Sequence, residues 1–477
     1  MYKPTIGLEI HAELATRTKM FCDCPNDPLE IEPNVNVCPI CLGHPGTLPK
    51  ANQQAVEWVI KTGLALNCQI SHFSKFDRKN YFYPDLPKAY QISQYDQPFC
   101  LNGFLNLPSS KKRIGIRRIH LEEDAAKLFH SADGKHSLVD FNRGGVPLME
   151  LVTEPDFSSA EEAVEFAQEL QLILRYLGVS NADMERGNLR LEANISVAGE
   201  GEKLGTKVEI KNLNSFRSVL RAIKFETARQ ISVLEKGEKI IQETRGWDET
   251  EEETFSQRSK EEAHDYRYFP EPDLSPFQID DGLIEEIKSK IEELPNQKRE
   301  RFEREFNFSE EKSRVLIENR YLADFFEEAV SELRGMSDKV DIDLIYNYLV
   351  SDVRGLETDR DIPLWESKLK PIHLAESVYL IGGAISSAVA KKVLAQAFDS
   401  GSSPTEVVES EGLSQISDDR EIEQIITSVI DNNQKIWYDY KNGKENALQF
   451  IIGQVMKETK GRANPVVVRQ LLQKMIE

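Results

Sequence analysis

The 477-residue chain lacks the features of a membrane or secreted protein. No apolar run reaches the roughly 18 residues that a membrane-spanning helix needs. The most apolar stretch, residues 378–390, is interrupted by two glycines and two serines. The N-terminus carries Glu9, His11 and Glu13 where a signal peptide would have its apolar core. These absences exclude a membrane span, and we expect a cytoplasmic protein.

Basic residues are in short supply, since 59 lysines and arginines stand against 80 aspartates and glutamates, for a net charge of −21. The total alone argues against a nucleic-acid partner, because phosphates attract cations. The distribution is uneven, however. Residues 111–118 hold five bases and no acid, and residues 435–477 hold eight bases and four acids. Such local basic surfaces are compatible with RNA that is held at a few places.

Two common catalytic loops are also missing. Residues 201–207, GEKLGTK, only superficially resemble the phosphate-binding pattern G-x-x-x-x-G-K-[S/T]. No G-x-S-x-G serine motif occurs. The sequence therefore supports neither Walker-type ATP binding nor a serine hydrolase.

The pattern that is present predicts an α+β protein of three domains. Strand and helix signals alternate before residue 294, and helical periodicity dominates after it. The clearest elements are a strand with alternating side chains at residues 4–14, a capped helix at 158–177 and a hairpin of 189–197 with 206–212. We predict a mixed domain with an antiparallel β-sheet at 1–294, an all-α domain at 295–405 and a small helical tail domain at 406–477.

Four of the six cysteines fall in one segment, as Cys22-x-Cys24 and Cys38-x-x-Cys41, separated by thirteen residues. Paired thiols on tight turns suit tetrahedral zinc, which binds thiolates at about 2.3 Å. With four protein ligands the zinc would be structural and would close a loop over residues 22–41. Two alternatives stay open: reduced cysteines with no ligand role, and a redox pair at the second motif, which lacks βαβ surroundings.

The first predicted strand displays Glu9, His11 and Glu13 on one face. Carboxylates with an imidazole suit a divalent cation such as Mg²⁺ or Mn²⁺. A solvated sheet face is the simpler alternative. Two further segments favour a ligand: residues 120–124 concentrate three acids, and residues 140–150 combine glycines with more polar groups.

Two other segments combine charges with polar or aromatic side chains. Residues 77–95 interleave cations with five aromatic rings, which suits a nucleotide base with its phosphates or the end of an RNA chain. A rigid aromatic loop packed on the sheet is the alternative. The predicted hairpin carries a polar row that could equally be an exposed cross-strand ladder. The row consists of Arg190, Glu192, Asn194, Ser196, Lys207, Glu209 and Lys211.

Together these segments resemble the B subunit of the aspartyl/glutamyl-tRNA amidotransferase family. The matching pieces follow the family's order over almost the whole chain: IGLEIHAEL (6–14), FDRKNYFYPDLPKAYQISQYDQP (76–98), RRIHLEEDAAK (117–127), LVDFNRGGVPLMELVTEPD (138–156), GTKVEIKNLNSF (205–216), DYRYFPEPDL (265–274) and IIGQVMKETKGRANP (451–465). Two departures occur. Ala126 stands where the family usually has glycine, and Glu192 stands where it commonly has aspartate.

The resemblance implies a ligase with a cradle-like catalytic domain at 1–294, and with a helical domain and a tail domain that both bind the tRNA. The B subunit would bind misacylated Glu-tRNA(Gln) or Asp-tRNA(Asn) and use ATP and Mg²⁺ to phosphorylate the side-chain carboxylate. Ammonia from a separate amidase would then displace the phosphate. The implied partners are the A subunit, which is the amidase, and a small C subunit, which together with this chain would form a heterotrimer. No amidase signature occurs in this chain, which agrees with an ammonia source elsewhere.

The resemblance also suggests roles for residues at matching positions. It implies Mg²⁺ ligands at Glu9, His11, Glu123 and Glu150, with Glu122 and Asp124 as neighbours. It places Lys79 on a nucleotide phosphate with Tyr81 nearby, and Arg190, Lys207 and Glu209 along the nucleotide or aminoacyl end. A non-catalytic, zinc-containing adaptor that binds tRNA is the alternative function, and in that case the acidic rows are solvated faces.

Overall fold

The architecture was analysed in a computed structural model, which describes residues 2–131, 133–201, 204–259, 266–381, 383–416, 418–441 and 444–475. By the density of its internal contacts the chain divides into two compact units, Met1–Lys298 and Arg299–Glu477. The first unit is mainly antiparallel sheet with helices, and the second is helical. The predicted α+β class is confirmed.

The first unit is built on a sheet of nine strands. Its strands are β1 (Tyr2–Glu13), β2 (Gln69–Ile70), β6 (Cys100–Asn106), β7 (Arg113–Glu123), β10 (Pro147–Thr153), β11 (Leu189–Gly199), β12 (Val208–Leu213), β13 (Glu243–Asp248) and β14 (Glu253–Ser259). Their order is β14-β13-β12-β11-β1-β10-β7-β6-β2, and every neighbouring pair is antiparallel except β12 with β13. The predicted hairpin is the pair β11–β12.

Side-chain alternation divides this sheet into an apolar and a polar face. On β1 the residues Ile6, Leu8, Ile10 and Ala12 are buried against helices, whereas Glu9, His11 and Glu13 point the other way. Three helices cover the apolar face: α1 (Gln53–Ala65), α2 (Ala160–Tyr176) and α3 (Phe216–Glu235). The predicted helix at 158–177 is α2, and Ser159 caps it by accepting a hydrogen bond from the Glu162 amide.

The other described strands of the first unit are shorter. They are β3 (Phe73–Ser74), β4 (Asp77–Asn80), β5 (Tyr90–Ser93), β8 (Lys127–His130), β9 (Ser137–Asp140), β15 (Phe269–Pro270) and β16 (Phe277–Gln278), and helix α4 (Asp281–Ser289) follows them. Strands β15, β4 and β5 form one small sheet, and β5 packs against β7. This packing brings the aromatic-rich segment that begins at Asp77 to the polar face.

The second unit consists of helices around two apolar clusters. The helices are α5 (Pro295–Phe306), which begins in the first unit, α6 (Glu310–Ile317), α7 (Arg320–Met336), α8 (Ile342–Asn347), α9 (Arg354–Arg360), α10 (Pro371–Ile381), α11 (Ser387–Ser400), α12 (Pro404–Ser410), α13 (Asp419–Asn432), α14 (Gln434–Lys441), α15 (Glu445–Glu458) and α16 (Pro465–Lys474). A π-helical turn, Tyr348–Val353, continues α8 into α9. One cluster extends from Phe302 to Leu413 and the other from Ile416 to Leu472.

The domain boundaries at 294 and 405 stay predictions. Among the described residues, no helix is long and apolar enough to span a membrane.

Candidate functional site

The polar face of the large sheet carries a row of side chains across adjacent strands. In the strand register, His11 on β1 lies opposite Glu150 on β10 and opposite Arg190 on β11. Glu150 lies in turn opposite His120 on β7. Because directly paired residues point to the same face, one carboxylate is held between two imidazoles.

The distances show that these groups converge. Nε2 of His11 is 3.4 Å from Oε2 of Glu150, and Nε2 of His120 is 3.3 Å from the same oxygen. Glu122 joins them, with Oε1 at 3.8 Å from Nε2 of His11 and Oε2 at 3.6 Å from Nε2 of His120. Ser93 on β5 donates a hydrogen bond of 2.9 Å to Glu122. We call His11, His120, Glu122 and Glu150, with Glu9 beside them, the carboxylate–histidine cluster.

Glu9 links this cluster to a second set of carboxylates. Possible ligand atoms of Glu9, His11 and Glu150 lie within 4.8 Å of one another, as do those of Glu9, Glu192 and Glu209. Nζ of Lys211 is 2.8 Å from Glu192, and Thr244 donates a 2.7 Å hydrogen bond to Glu209. The oxygens are of the type that hard divalent cations prefer.

Burial and mutual charge shift the pKa values within the cluster. Burial, reinforced by the charges of Glu150 and Glu192, raises the pKa of Glu9 to about 7. Burial opposes the charged form of His11, but its hydrogen bond to Glu150 and the surrounding carboxylates outweigh it and raise the pKa to about 9. The pKa of His120 reaches about 9 for the same reasons. Despite its burial, the pKa of Glu150 is well below its usual value because two imidazoles face it.

The structure does not bring Glu123 together with Glu9, His11 and Glu150. Glu122 and Glu123 are consecutive on β7, so their side chains point to opposite faces. Glu123 forms an ion pair with Lys88 at 2.6 Å and accepts a 2.9 Å hydrogen bond from the Ile92 amide. Glu122 is the acid that this register turns toward the cluster.

Lys79 reaches the same region from the small sheet. Its Nζ lies 5.0 Å from the ring centroid of Tyr266 and 5.9 Å from that of Tyr81. Burial disfavours its charged form, but Glu122, Tyr268 and Glu150 together raise its pKa above the ordinary lysine value. Lys79 is therefore a cation at the edge of the cluster, with aromatic rings on its other sides.

The four clustered cysteines also converge. The Sγ atoms of Cys22, Cys24, Cys38 and Cys41 lie within 4.8 Å of one another, and no disulfide joins them. Sγ of Cys38 and Sγ of Cys41 are 3.9 Å apart, and the Cys38 amide donates to Sγ of Cys41 at 3.1 Å. A hydrogen bond from Cys22 is the largest cause that lowers the pKa of Cys41, to about 5. We call this group the cysteine cluster.

Known proteins resemble this chain over nearly its whole length. Residues 4–285 match the family model described as the GatB/GatE catalytic domain, and residues 324–476 match the GatB domain. The chain is 50% identical over 486 residues to the B subunit of the aspartyl/glutamyl-tRNA(Asn/Gln) amidotransferase of Caldicellulosiruptor saccharolyticus, covering 100% of this chain and 99% of the relative. The B subunit of Thermotoga sp. strain RQ2 is 48% identical over 484 residues, with the same coverage.

The chain belongs to the amidotransferase B-subunit family. Its relatives in that family include one from Caldanaerobacter subterraneus, 49% identical over 476 residues, covering 99% of this chain and 98% of the relative. The predicted family membership is confirmed.

The other residues that the resemblance suggested lie in different surroundings. Arg190 donates a 2.7 Å hydrogen bond to Asp124, next to the row. Glu209 is buried within the second carboxylate set, whereas Lys207 is exposed just before β12. Tyr81 packs edge-on against Tyr266 with ring centroids 6.0 Å apart.

Sequence reasoning missed three residues at this candidate site: His120, Tyr266 and Tyr268. His120 could have been found, because Ile119 and Leu121 fix the apolar face of β7 and leave residues 120 and 122 on the polar face. The two tyrosines lie just before β15, and the pairing of β15 with β4 brings them to the site. These two strands are about 190 residues apart in the sequence, so no local pattern reveals the pairing.

Proposed function

We propose that this chain is the component of a glutamine-dependent tRNA amidotransferase that activates the misacylated tRNA. Its substrates would be Glu-tRNA(Gln), Asp-tRNA(Asn) or both. Its relatives are named as subunits of an aspartyl/glutamyl-tRNA(Asn/Gln) amidotransferase. The observation that carries the proposal is the carboxylate–histidine cluster with Lys79 at its edge.

The donor set fits Mg²⁺. Glu9, His11 and Glu150 offer two carboxylates and an imidazole within 4.8 Å of one another, and Glu122 lies beside them. Glu122 takes the place that the sequence interpretation gave to Glu123, because Glu123 is engaged with Lys88. A bound Mg²⁺ would neutralise charge on the phosphates of ATP during phosphoryl transfer.

The chain's own groups would orient the substrates. Lys79 would contact a nucleotide phosphate, with Tyr81 against the nucleotide, and Arg190, Lys207 and Glu209 would line the nucleotide or aminoacyl end. A side-chain carboxylate oxygen of the aminoacyl group would attack the γ-phosphorus, and ADP would leave. Ammonia would then attack the carbonyl carbon, and phosphate would leave to give the amide. No protein nucleophile is needed for either step.

The ammonia requires a partner. We propose an amidase, the A subunit, and a small C subunit as members of the same complex, since the relatives are named as one lettered component of a larger enzyme. A cytoplasmic location is part of the same proposal.

The cysteine cluster fits structural zinc. Four thiolates at about 2.3 Å from one ion have Sγ–Sγ edges of roughly 3.8 Å. The Sγ atoms of Cys38 and Cys41 are 3.9 Å apart, and all four Sγ atoms lie within 4.8 Å of one another. All four ligand positions would be occupied by protein, so this zinc would hold the loop and take no part in the reaction.

Reconstitution with the partner proteins tests the function. The complex should convert Glu-tRNA(Gln) to Gln-tRNA(Gln) only when ATP, Mg²⁺ and an amide donor are present. A Glu9→Ala, His11→Ala double variant should lose this conversion while it still assembles with its partners. Full activity in that variant would overturn the Mg²⁺ assignment. ATP hydrolysis that does not respond to misacylated tRNA would favour the adaptor instead.

A further inference from the structure

Lys19 is a buried lysine next to the cysteine cluster. Its side chain is 0% exposed, which places it among the largest fully buried side chains of the described chain. Nζ donates a 3.0 Å hydrogen bond to the carbonyl oxygen of Phe141 and lies 3.9 Å from Sγ of Cys41. Among residues in the described ranges, no carboxylate oxygen lies within 4.0 Å of this ammonium, which is the distance limit for an ion pair.

An ammonium in this position needs an anion. Removing an unpaired charge from water costs several kcal/mol, and one carbonyl oxygen does not compensate for that cost. Nζ of Lys19 contacts two groups, the Phe141 carbonyl and the sulfur of Cys41, and of these only the sulfur can carry a negative charge.

We propose that Lys19 supplies the countercharge of a four-thiolate metal site in the cysteine cluster. The inference rests on the zinc site proposed above. A divalent ion bound by four thiolates carries two net negative charges, and such a complex in a protein interior needs compensation. The Cys38 amide, 3.1 Å from Sγ of Cys41, supplies a partial positive charge, and Lys19 supplies a full one.

The same side chain connects the cysteine loop to the segment that leads into β10. The Phe141 carbonyl that accepts from Lys19 belongs to that segment. A second hydrogen bond joins the same two segments: the Met20 amide donates to the Gly145 carbonyl at 2.7 Å. Strand β10 then carries Glu150. Lys19 is thus a positioning residue, which links the metal loop to the strand that holds part of the carboxylate–histidine cluster.

The test compares three full-length variants. Lys19→Gln removes the charge and keeps a hydrogen-bond donor, Lys19→Arg keeps the charge, and Lys3→Gln removes a lysine whose side chain is 61% exposed. The readout is the rate at which zinc passes to a coloured chelator. We expect Lys19→Gln to release zinc about 10- to 100-fold faster, the range seen when partners of metal ligands are removed. Lys19→Arg and Lys3→Gln should stay close to the unchanged protein.

A purely structural role for Lys19 predicts a different result. If Lys19 only held Phe141, Lys19→Gln would lower the unfolding temperature equally in the zinc-loaded and the zinc-stripped, reduced protein. The countercharge role predicts that the variant reduces the gain in unfolding temperature that zinc provides. An equal loss in both forms, or zinc release at the unchanged rate, would overturn the proposal.

A second pair of variants serves if Lys19→Gln does not fold. Cys41→Asp gives Lys19 a carboxylate at the same place, and Cys41→Asn gives it a neutral group of the same shape. We expect the aspartate variant to unfold at a higher temperature than the asparagine variant. Equal temperatures, or the reverse order, would overturn the proposal.

The zinc measurement separates the two hypotheses. Less than half an equivalent of zinc in the freshly purified, unchanged protein would overturn the four-cysteine metal site, and the role of Lys19 with it. One equivalent of zinc together with an unaffected Lys19→Gln variant would overturn the role of Lys19 alone.

Discussion

Among the residues of the first unit that the structure describes, the potential metal ligands form two clusters, which differ in donor type and in the backbone that carries them. The cysteine cluster uses one donor type on loops, and its neighbouring lysine, Lys19, is fully buried. The carboxylate–histidine cluster uses oxygen and nitrogen donors on β-strands, and its neighbouring lysine, Lys79, is only partly buried among aromatic rings. In the cysteine cluster the four possible ligands come from one loop region, whereas the carboxylate–histidine cluster is a row along one sheet face that includes the buried His120, Glu122 and Glu150.

Under the proposed function, this difference separates a structural role from a chemical one. Four thiolates satisfy a tetrahedral ion and leave no position for a substrate. Carboxylates and imidazoles on a row of strands leave positions that phosphate oxygens and water take in magnesium sites. We therefore expect damage to the cysteine cluster to reduce stability, and damage to the carboxylate–histidine cluster to reduce turnover.

The largest effect on turnover is expected at Glu150. Glu150→Gln keeps the shape but removes the charge held between His11 and His120. We expect amidation by the reconstituted complex to fall roughly 1,000-fold, equivalent to about 4 kcal/mol of activation free energy. The matched control is Glu154→Gln, just beyond β10, whose partner is the half-exposed Arg117. A Glu150→Gln variant as active as the control would contradict the assignment.

The opposite pattern is expected at Cys38. Cys38→Ser should lose zinc, and its free energy of unfolding should be lower than that of the unchanged protein by roughly 4 kcal/mol. Loss of a structural metal is among the most destabilising changes. Turnover per folded molecule should stay within about tenfold, as the cluster has no substrate position. Elemental analysis and denaturant unfolding measure the two effects. Cys68→Ala, at a cysteine outside the cluster, should keep its zinc.

Two adjacent glutamates provide a sharper comparison. Glu122→Gln should raise the Mg²⁺ concentration for half-maximal activity by about tenfold or more, because it alters the metal's surroundings. Glu123→Gln should leave that concentration unchanged and cost roughly 3 kcal/mol of stability, because Lys88 would lose its buried partner. If Glu123→Gln instead shifts the Mg²⁺ dependence and Glu122→Gln does not, the sequence-based assignment is the better one.

Two lysines are expected to differ in their effect on turnover, and Lys207 should have the smallest effect of all. Lys79→Met should lower amidation by roughly 100-fold, because it removes a hydrogen-bond donor that points at the charge developing in the transition state. Lys207→Met should lower it less than tenfold, because an exposed charge contributes little. Measuring kcat and KM for ATP with each variant checks this order. Equal losses for the two variants would place Lys207 in the site as firmly as Lys79.

Local patterns were sufficient to predict much of the first unit. The alternation over residues 4–14 gave both the strand β1 and the face that carries Glu9 and His11, because side-chain period two is a strict property of strands. The capping serine and helical spacing gave α2. The cysteine spacing gave a cluster that the structure assembles from two separate turns.

Long-range register was not predictable in the same way. Alternation along β7 turns Glu122 to the face that carries His120. That Glu122 meets His11 and Glu150, however, depends on the register of β7 with β10, which no local pattern reveals. The position of Lys79 depends on the small sheet and on its packing against β7, both of which join distant segments. Sequence reasoning therefore selected candidate residues, and tertiary pairing decided which of them meet.

The most direct test of the division between the two clusters is phosphoryl transfer from γ-labelled ATP to Glu-tRNA(Gln) without an amide donor. It should be measured on the reconstituted complex with the unchanged chain, with Glu150→Gln and with Cys38→Ser, and corrected for the folded fraction. We predict transfer by the unchanged chain and by Cys38→Ser, and only background transfer by Glu150→Gln. Transfer at the unchanged rate by Glu150→Gln, or background transfer by folded Cys38→Ser, would contradict the account.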